Sequence, residues 1–372
     1  MSRNRRLHIG KMPQTIQLPL SGSNWKAPSD ALEAQEIKSS LPEISSSATT
    51  VSTPSKAISP SRTTAITAAL SYAVSSIGIQ IALKLTLTTM SFPSALFVAL
   101  SQCIFMVISI LVLRHLGKIH FPKPSISNMK AVQPLPLIQV FNVGCGLMGT
   151  KLVSIPMFTV LRRVSIPLTL LSEIYILNSP ASIKVKASVG LLMLGSTIAA
   201  LDDLSFNWAG YSAILVSAIA TTAYGVYSKI KLTGPNKRTK FELLFYNGLF
   251  AIPLLTLAVA YKGDGFTAVR NYDQWFNPFF LFTFFISVTM GFVLNFAILY
   301  NTQTNGPLST TIMGSSKNVF TTYLGIAGIG GDYIFTVTNF MGLNVSMGGA
   351  LLYNYVKFGE KQKKKLKEVI VT

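Results

Sequence analysis

The chain has 372 residues, of which 32 are Lys or Arg and only 13 Asp or Glu, for a formal net charge of +19. Charged residues make up 12% and apolar ones 49%, with a mean hydropathy of +0.47, whereas a soluble domain carries about 25% charge. These figures exclude a typical cytosolic enzyme. The basic residues lie between long uncharged runs rather than on one amphipathic surface, which excludes a nucleic-acid binder.

Residues 1–62 are polar and rich in Ser, Thr and Pro, and they contain no apolar core of a signal peptide. They read as a disordered cytosolic tail. Beyond them, uncharged runs recur from Thr63–Leu83 to Tyr333–Val356, and a membrane span needs about 20 mostly apolar residues. Breaking the runs at Pro, Gly and charge clusters predicts ten spans, near 64–87, 93–113, 134–152, 155–177, 187–202, 208–229, 242–261, 277–300, 307–329 and 336–357. The fold class is therefore an all-α polytopic membrane protein. The ten-span domain covers 63–358, and a basic cytosolic tail follows at 359–372.

Charge orients the bundle. Basic residues follow span 2 (Arg114, Lys118, Lys123, Lys130), span 4 (Lys184, Lys186) and span 6 (Lys229, Lys231, Lys237, Arg238, Lys240), and they crowd the C-terminus from Lys357 to Lys367. The alternate loops are uncharged, balanced, or acidic at Asp202, Asp203 and Asp332. Positive residues collect on the cytosolic side, so both termini are expected there. Five spans per half place spans 4 and 9 in equivalent positions with opposite orientation, and they open on Pro156-x-x-Thr159 and Pro307-x-x-Thr310. A five-plus-five inverted repeat is the arrangement of many transporters, with the substrate held near the midplane.

Charge inside the spans is the informative chemistry, because an ionised group near the bilayer centre costs at least about 2.5–3.5 kcal/mol. At about 1.5 Å per residue, Arg162 and Lys317 fall roughly 11 and 15 Å into spans 4 and 9, close to mid-membrane in both halves. The natural guest is a dianion such as a pyrophosphate group. The plainer alternative is an internal ion pair, for example Arg163 with Glu173. Lys84 and Lys151 stand near span ends, where long stems snorkel to the interface.

Other signals carry less. Gly144-Cys-Gly146-Leu-Met-Gly149 fits a dinucleotide fingerprint but lies in an uncharged span with no preceding strand; close helix packing explains its small residues. His8, His115 and His120 lie in polar segments without ligand partners, so no metal site is read. Cys103 and Cys145 lie in apolar runs and imply no disulfide framework. The sequon Asn344-Val-Ser346 falls inside a span and is expected to be unused.

Three stretches carry a family resemblance. They are Lys151-Leu-Val-Ser-Ile-Pro-Met-Phe-Thr-Val-Leu-Arg-Arg163, Phe245-Tyr-Asn247 with Ile252-Pro253, and the run from Gly314-Ser-Ser-Lys-Asn318 through Gly330-Gly-Asp-Tyr-Ile-Phe335 to Asn344. Over roughly Thr63–Phe358 the chain resembles nucleotide-sugar transporters of the drug/metabolite transporter superfamily, closest to the UDP-glucuronic acid/UDP-N-acetylgalactosamine branch. The resemblance implies a ten-span antiporter of the Golgi or endoplasmic reticulum that brings a nucleotide sugar into the lumen for glycosylation, in exchange for the nucleoside monophosphate. In GDP-mannose transporters the span 9 motif ends Asn-Lys; here the order is Lys317-Asn318, as in the UDP-sugar branch. The Phe-Tyr-Asn motif belongs to the family's nucleotide-recognition region, which nominates Tyr246, Asn247 and Asn318 for base and ribose. Interhelical hydrogen bonding by Asn247 is the alternative. Tyr72, Ser75 and Ser76 match the polar face of the family's first span.

Together these readings describe a UDP-sugar/UMP antiporter of the Golgi membrane, with the endoplasmic reticulum as second choice, since the C-terminus Glu368-Val-Ile-Val-Thr372 lacks a dilysine signal. Arg162 and Lys317 hold the diphosphate, and Tyr72, Ser75, Ser76, Thr310, Thr311 and Gly314 line the cavity. The expected partners are the nucleotide sugar, the nucleoside monophosphate and the bilayer, with a second copy of the chain as a candidate and no nucleic acid. No cofactor is called for. A GDP-sugar transporter and a non-transporting membrane receptor or scaffold stand as alternatives. An embedded enzyme lacks the acids, bases and metal site it would need, since Glu173 stands almost alone as an acid in the spans and no His is present.

Overall fold

A computed structural model describes residues 61–122, 124–153, 155–199, 207–261, 265–315 and 336–371, and among these every regular element is helical. In chain order the helices are α1 (Arg62–Lys84, continued by a wider turn over Leu85–Thr89), α2 (Ala95–His115), the short α3 (Ile126–Val132), α4 (Leu135–Leu152), α5 (Ile155–Arg163), α6 (Ser165–Tyr175) and α7 (Ile183–Ile198). Then follow α8 (Trp208–Thr233), α9 (Lys240–Tyr261), the short α10 (Gly265–Arg270), α11 (Pro278–Asn305), α12 (307–315 of the described residues) and α13 (Val337–Val371). Five of them are long and apolar enough to cross a membrane: α1 with its wider turn, α2, α8, α9 and α11.

The starts are written in the sequence. Ser61, Ser94, Ser182 and Asn207 each accept a backbone N–H three residues on, and Asn277 accepts one two residues on, just before Pro278. Ser and Asn serve this role because their short side chains reach the amides that a first helical turn leaves unpaired. For most spans the helix ends fall within a few residues of the predicted boundaries, while span 9 beyond residue 315 lies outside the described residues. Span 4 differs: it is two helices, α5 and α6, which part at Val164. The last helix, α13, runs on through the basic tail to Val371.

The helices pack in defined pairs: α1 along α11, α4 along α8, α2 along both α9 and α11, α9 along α4, and α7 along α13. The outward faces are apolar, with Val74, Ile108, Phe282 and Leu351 all exposed, whereas Ser75, Ser188, Ser196, Ser217, Thr222, Ser287, Asn301 and Thr302 are buried. Such a distribution suits lipid as solvent, because helices gain nothing by hiding apolar surface from hydrocarbon and associate through close packing and buried hydrogen bonds. Thr86 and Ser287 join α1's wider turn to α11 at 2.8 Å, and Gln102 donates to the Ser287 carbonyl from α2 at 3.1 Å. Of the glycines in the false fingerprint, Gly146 and Gly149 do face α8, at Ser217 and Ile214.

The α7–α13 contact is the tightest. A Cβ on Gly342 would lie 2.3 Å from the Ala199 backbone nitrogen, and one on Gly195 would lie 2.2 Å from that of Ser346. Gly348, also on α13, has open space around it. Gly342→Ala should therefore lower the melting temperature of the purified protein, at an overpacking cost of about 1–3 kcal/mol. Gly348→Ala should leave it unchanged or raise it, since Ala gains up to about 1 kcal/mol over Gly within a helix. Differential scanning fluorimetry in detergent compares the two, and equal shifts would contradict the close contact.

Candidate functional site

A cavity of about 400 Å³ lies within the bundle and is walled by α1, α4, α5, α6, α8, α11 and α12. Its wall is polar for a space among apolar helices. Gln139 and Asn142 come from α4, Thr221 and Tyr224 from α8, and Asn295 and Thr302 from α11. Five residues nominated from the sequence meet here: Tyr72, Arg162, Thr310, Thr311 and Gly314. They come from both halves of the chain, so the cavity forms only when the halves close on each other.

Arg162 is the central charge. It is flanked by protein yet open to the cavity, and its guanidinium lies 5.7 Å from the centre of the Phe158 ring one turn earlier. A cation over an aromatic face is stabilised without being neutralised. Among the described residues no carboxylate pairs with it. The Tyr72 hydroxyl lies within its electrostatic reach, and a Cβ on Gly314 would stand 2.7 Å from that hydroxyl. Gly314 thus leaves the space that the Tyr72 ring uses.

The polar wall is largely pre-bonded. Asn142 accepts from Ser217 at 2.7 Å and from Thr221 at 3.0 Å, which ties α4 to α8. The Thr310 hydroxyl receives hydrogen bonds from Asn301 at 2.9 Å and Thr302 at 3.1 Å, and it donates to the Gly306 carbonyl at 3.1 Å. Its hydrogen-bonding capacity is then full, so it shapes the wall. Thr311 donates to the Pro307 carbonyl at 3.0 Å and keeps its lone pairs.

Several sequence-based expectations are corrected. Tyr246 is 2% exposed and bonds through its hydroxyl to the Ser125 backbone, and Asn247 is buried and donates to the Tyr224 hydroxyl at 2.8 Å. Neither reaches the cavity wall; the interhelical alternative describes Asn247, whose partner Tyr224 is the residue that lines the cavity. Ser75 turns back to the Ser71 carbonyl at 2.7 Å and Ser76 is enclosed without a partner, so both sit behind the wall. The Arg163–Glu173 pair does not form. Arg163 donates to Ser196 and Ser346, while Glu173 accepts from the Leu308 amide at 2.8 Å and faces Lys357 at 3.6 Å. Lys84 does not snorkel either: its ammonium nitrogen is enclosed and unpartnered, because the wider turn carries α1 another turn beyond it. Lys317 and Asn318 lie outside the described residues, two and three positions after Ser315, which is on the wall.

Sequence reasoning missed Gln139, Asn142, Thr221, Tyr224 and Asn295. An isolated polar residue in an apolar run was the available signal, but the run does not say which of its faces looks inward.

The fold and the cavity define a helical membrane protein built around an internal polar space that holds a cation with no carboxylate partner among the described residues. The match of residues 63–354 to the Triose-phosphate Transporter family model is more specific, and the chain belongs to that family. It is 41% identical over 297 residues to the UDP-sugar transporter sqv-7 of Caenorhabditis elegans, covering 79% of this chain and 89% of that protein. It is 40% identical over 297 residues to the UDP-sugar transporter UST74c of Drosophila melanogaster, covering 80% and 79%. The human nucleotide sugar transporter SLC35D2 is 39% identical over 313 residues, covering 84% of this chain and 92% of that protein.

If Asn247 serves by holding Tyr224, removing either partner should cost similar stability. Asn247→Leu and Tyr224→Phe should each lower stability by about 1 kcal/mol, and the double variant should cost little more than one alone. Thermal melts of the three variants in detergent test this. Strict additivity would mean that the hydrogen bond carries no stability.

Proposed function

We propose that this protein is a nucleotide-sugar antiporter that carries a UDP-sugar from the cytosol into the lumen of the Golgi in exchange for UMP. The observation that carries the reading is Arg162, a cation open to an internal polar cavity and without a carboxylate partner among the described residues. A charge so placed calls for an anionic guest. Family membership makes that guest cargo, and relatives named as UDP-sugar transporters at 40–41% identity favour a uridine nucleotide. Exchange follows from the same cost. The empty cavity should change sides reluctantly, whereas the incoming or the outgoing anion neutralises it.

In this reading the ten spans form a five-plus-five inverted repeat: α1, α2, α4, α5–α6 and α7, then α8, α9, α11, α12 and α13. The helix pairings support it, because they survive exchange of the halves. The α1–α11 contact becomes α8–α4, the α2–α11 contact becomes α9–α4, and α2–α9 and α7–α13 map onto themselves. Lys317, three residues beyond Gly314 in the second half, is proposed as the cation that joins Arg162 on the diphosphate, with Asn318 beside it. The loop charges put both termini in the cytosol.

Uptake of labelled UDP-sugar into proteoliposomes preloaded with UMP tests the function. Preloading should accelerate uptake strongly, and UMP should compete better than GMP. No dependence on preloading would overturn exchange, and better competition by GMP would point to a GDP-sugar. Arg162→Ala should weaken UMP binding at least about tenfold, since a hydrogen bond to a charged group is worth about 1.5–3 kcal/mol. Its melting temperature without ligand should stay near that of the wild type. Protease added to sealed microsomes should remove the N-terminal tail; protection of that tail would reverse the orientation.

A further inference from the structure

Arg163 follows Arg162 on α5 and points about 100° away around the helix. It is 3% exposed and forms part of the cavity wall. Its Nη1 donates to Ser196 Oγ at 2.6 Å and to Ser346 Oγ at 2.7 Å, one hydroxyl from α7 and one from α13. Ser196 is itself anchored, donating to the Leu192 carbonyl at 2.7 Å. One nitrogen of the guanidinium is therefore locked to the tightest helix pair of the bundle. The other two, Nε and Nη2, are enclosed and have no hydrogen-bond partner.

That division is informative. In a planar guanidinium Nε and Nη2 lie on the same side, with their N–H bonds nearly parallel, and they form the edge that takes two oxygens of one phosphate or carboxylate at once. Leaving this edge empty in a desolvated site is costly, because charged donors buried without acceptors lose their hydration and gain nothing. No acid among the described residues fills it. Glu173 is engaged with the Leu308 amide and Lys357, and Glu242 with Arg238 at 2.9 Å. Two neutral hydroxyls fix the orientation of the group without cancelling its charge.

We infer that the Nε/Nη2 edge of Arg163, sealed in the empty protein, is uncovered when the guest enters and becomes a ligand for phosphate oxygens, so that the guest's phosphate is held by two consecutive arginines of α5, Arg162 from the open cavity and Arg163 from the wall. The inference rests on the proposed nucleotide cargo and deepens it. Phosphate is the group that a nucleotide sugar and a nucleoside monophosphate share, so a fork fixed by α7 and α13 grips both exchange partners alike. Ser196 and Ser346 are positioning residues, acting on the guest only through Arg163.

The test is nucleotide binding to the purified full-length protein, read by isothermal titration and by ligand-dependent melting, with UMP, uridine and inorganic pyrophosphate as probes. Arg163→Lys keeps the charge and loses the fork; it should weaken UMP at least tenfold and leave uridine unchanged. A purely structural Arg163 predicts an early-melting variant whose folded fraction binds UMP as the wild type does, and that result overturns the inference. If Arg163→Lys does not yield folded protein, the Ser196→Ala/Ser346→Ala double variant is decisive. It retains the guanidinium and loses its anchor, so UMP should weaken severalfold with uridine unmoved, and unchanged UMP affinity overturns the inference. If the wild type ignores UMP altogether, the nucleotide cargo fails and pyrophosphate decides the fork by itself. Stabilisation of wild type but not of Arg163→Lys by pyrophosphate sustains the phosphate edge; no stabilisation of either overturns it.

Discussion

A guanidinium inside an apolar bundle with no carboxylate beside it sets the terms for the rest of this protein. The charge of Arg162 is exposed to the cavity that these helices line, and it is not cancelled from within, since no acid among the described residues reaches it. A polar, enclosed space must then be kept open around it, in surroundings that would otherwise close up. The Phe158 ring, the Tyr72 hydroxyl and the space left by Gly314 all serve that requirement. Internal charge that waits for a mobile counter-charge is an unstable feature in a structural protein and a useful one in a carrier.

Stability has to come from elsewhere, and lipid offers no hydrophobic force to drive helices together. The α7–α13 pair supplies close backbone packing through Gly195 and Gly342, and small hydroxyl residues join other pairs, as Thr86 with Ser287 and Thr169 with Thr222 at 3.2 Å. The rigid α7–α13 pair is also what fixes the orientation of Arg163. Packing and chemistry are therefore coupled at the wall of the cavity. Beside that pair, α11 ends at Gly306, whose φ of 97° favours glycine, and α12 starts at once, with its Leu308 amide held by Glu173 of α6. A Cβ on Gly306 would lie 2.8 Å from that carboxylate. The acid that looked from the sequence like a partner for Arg163 is occupied in setting the direction of the helix that carries Thr310, Thr311 and Gly314.

The five long apolar helices were legible because they depend on length and polarity alone, quantities that a bilayer reads directly. Helix starts were legible at Ser61, Ser94, Ser182, Asn207 and Asn277 for a local reason: a cap needs only its own next few residues. Arg162 could be singled out for its depth. Tyr246 and Asn247 show what such reasoning leaves open. Their motif marks a region, but rotation of α9 about its axis turns both side chains into helix contacts and leaves Tyr224 of α8 at the cavity.

By itself, the sequence determined that this is a helical membrane protein, roughly where its helices begin and end, and that a cation lies deep among them. Each of these follows from hydropathy, caps and charge over a short stretch of chain. Only the tertiary structure decided which face of each helix looks inward, since a rotation of 100° per residue separates wall from contact and depends on every neighbouring helix at once. It decided that Arg162 opens to the cavity while Arg163 is clasped by Ser196 and Ser346, although the two are adjacent and chemically identical. It also decided that Glu173 serves α12 and Lys357 instead of either arginine. Such choices are contacts between residues far apart in the chain, and no local pattern encodes them.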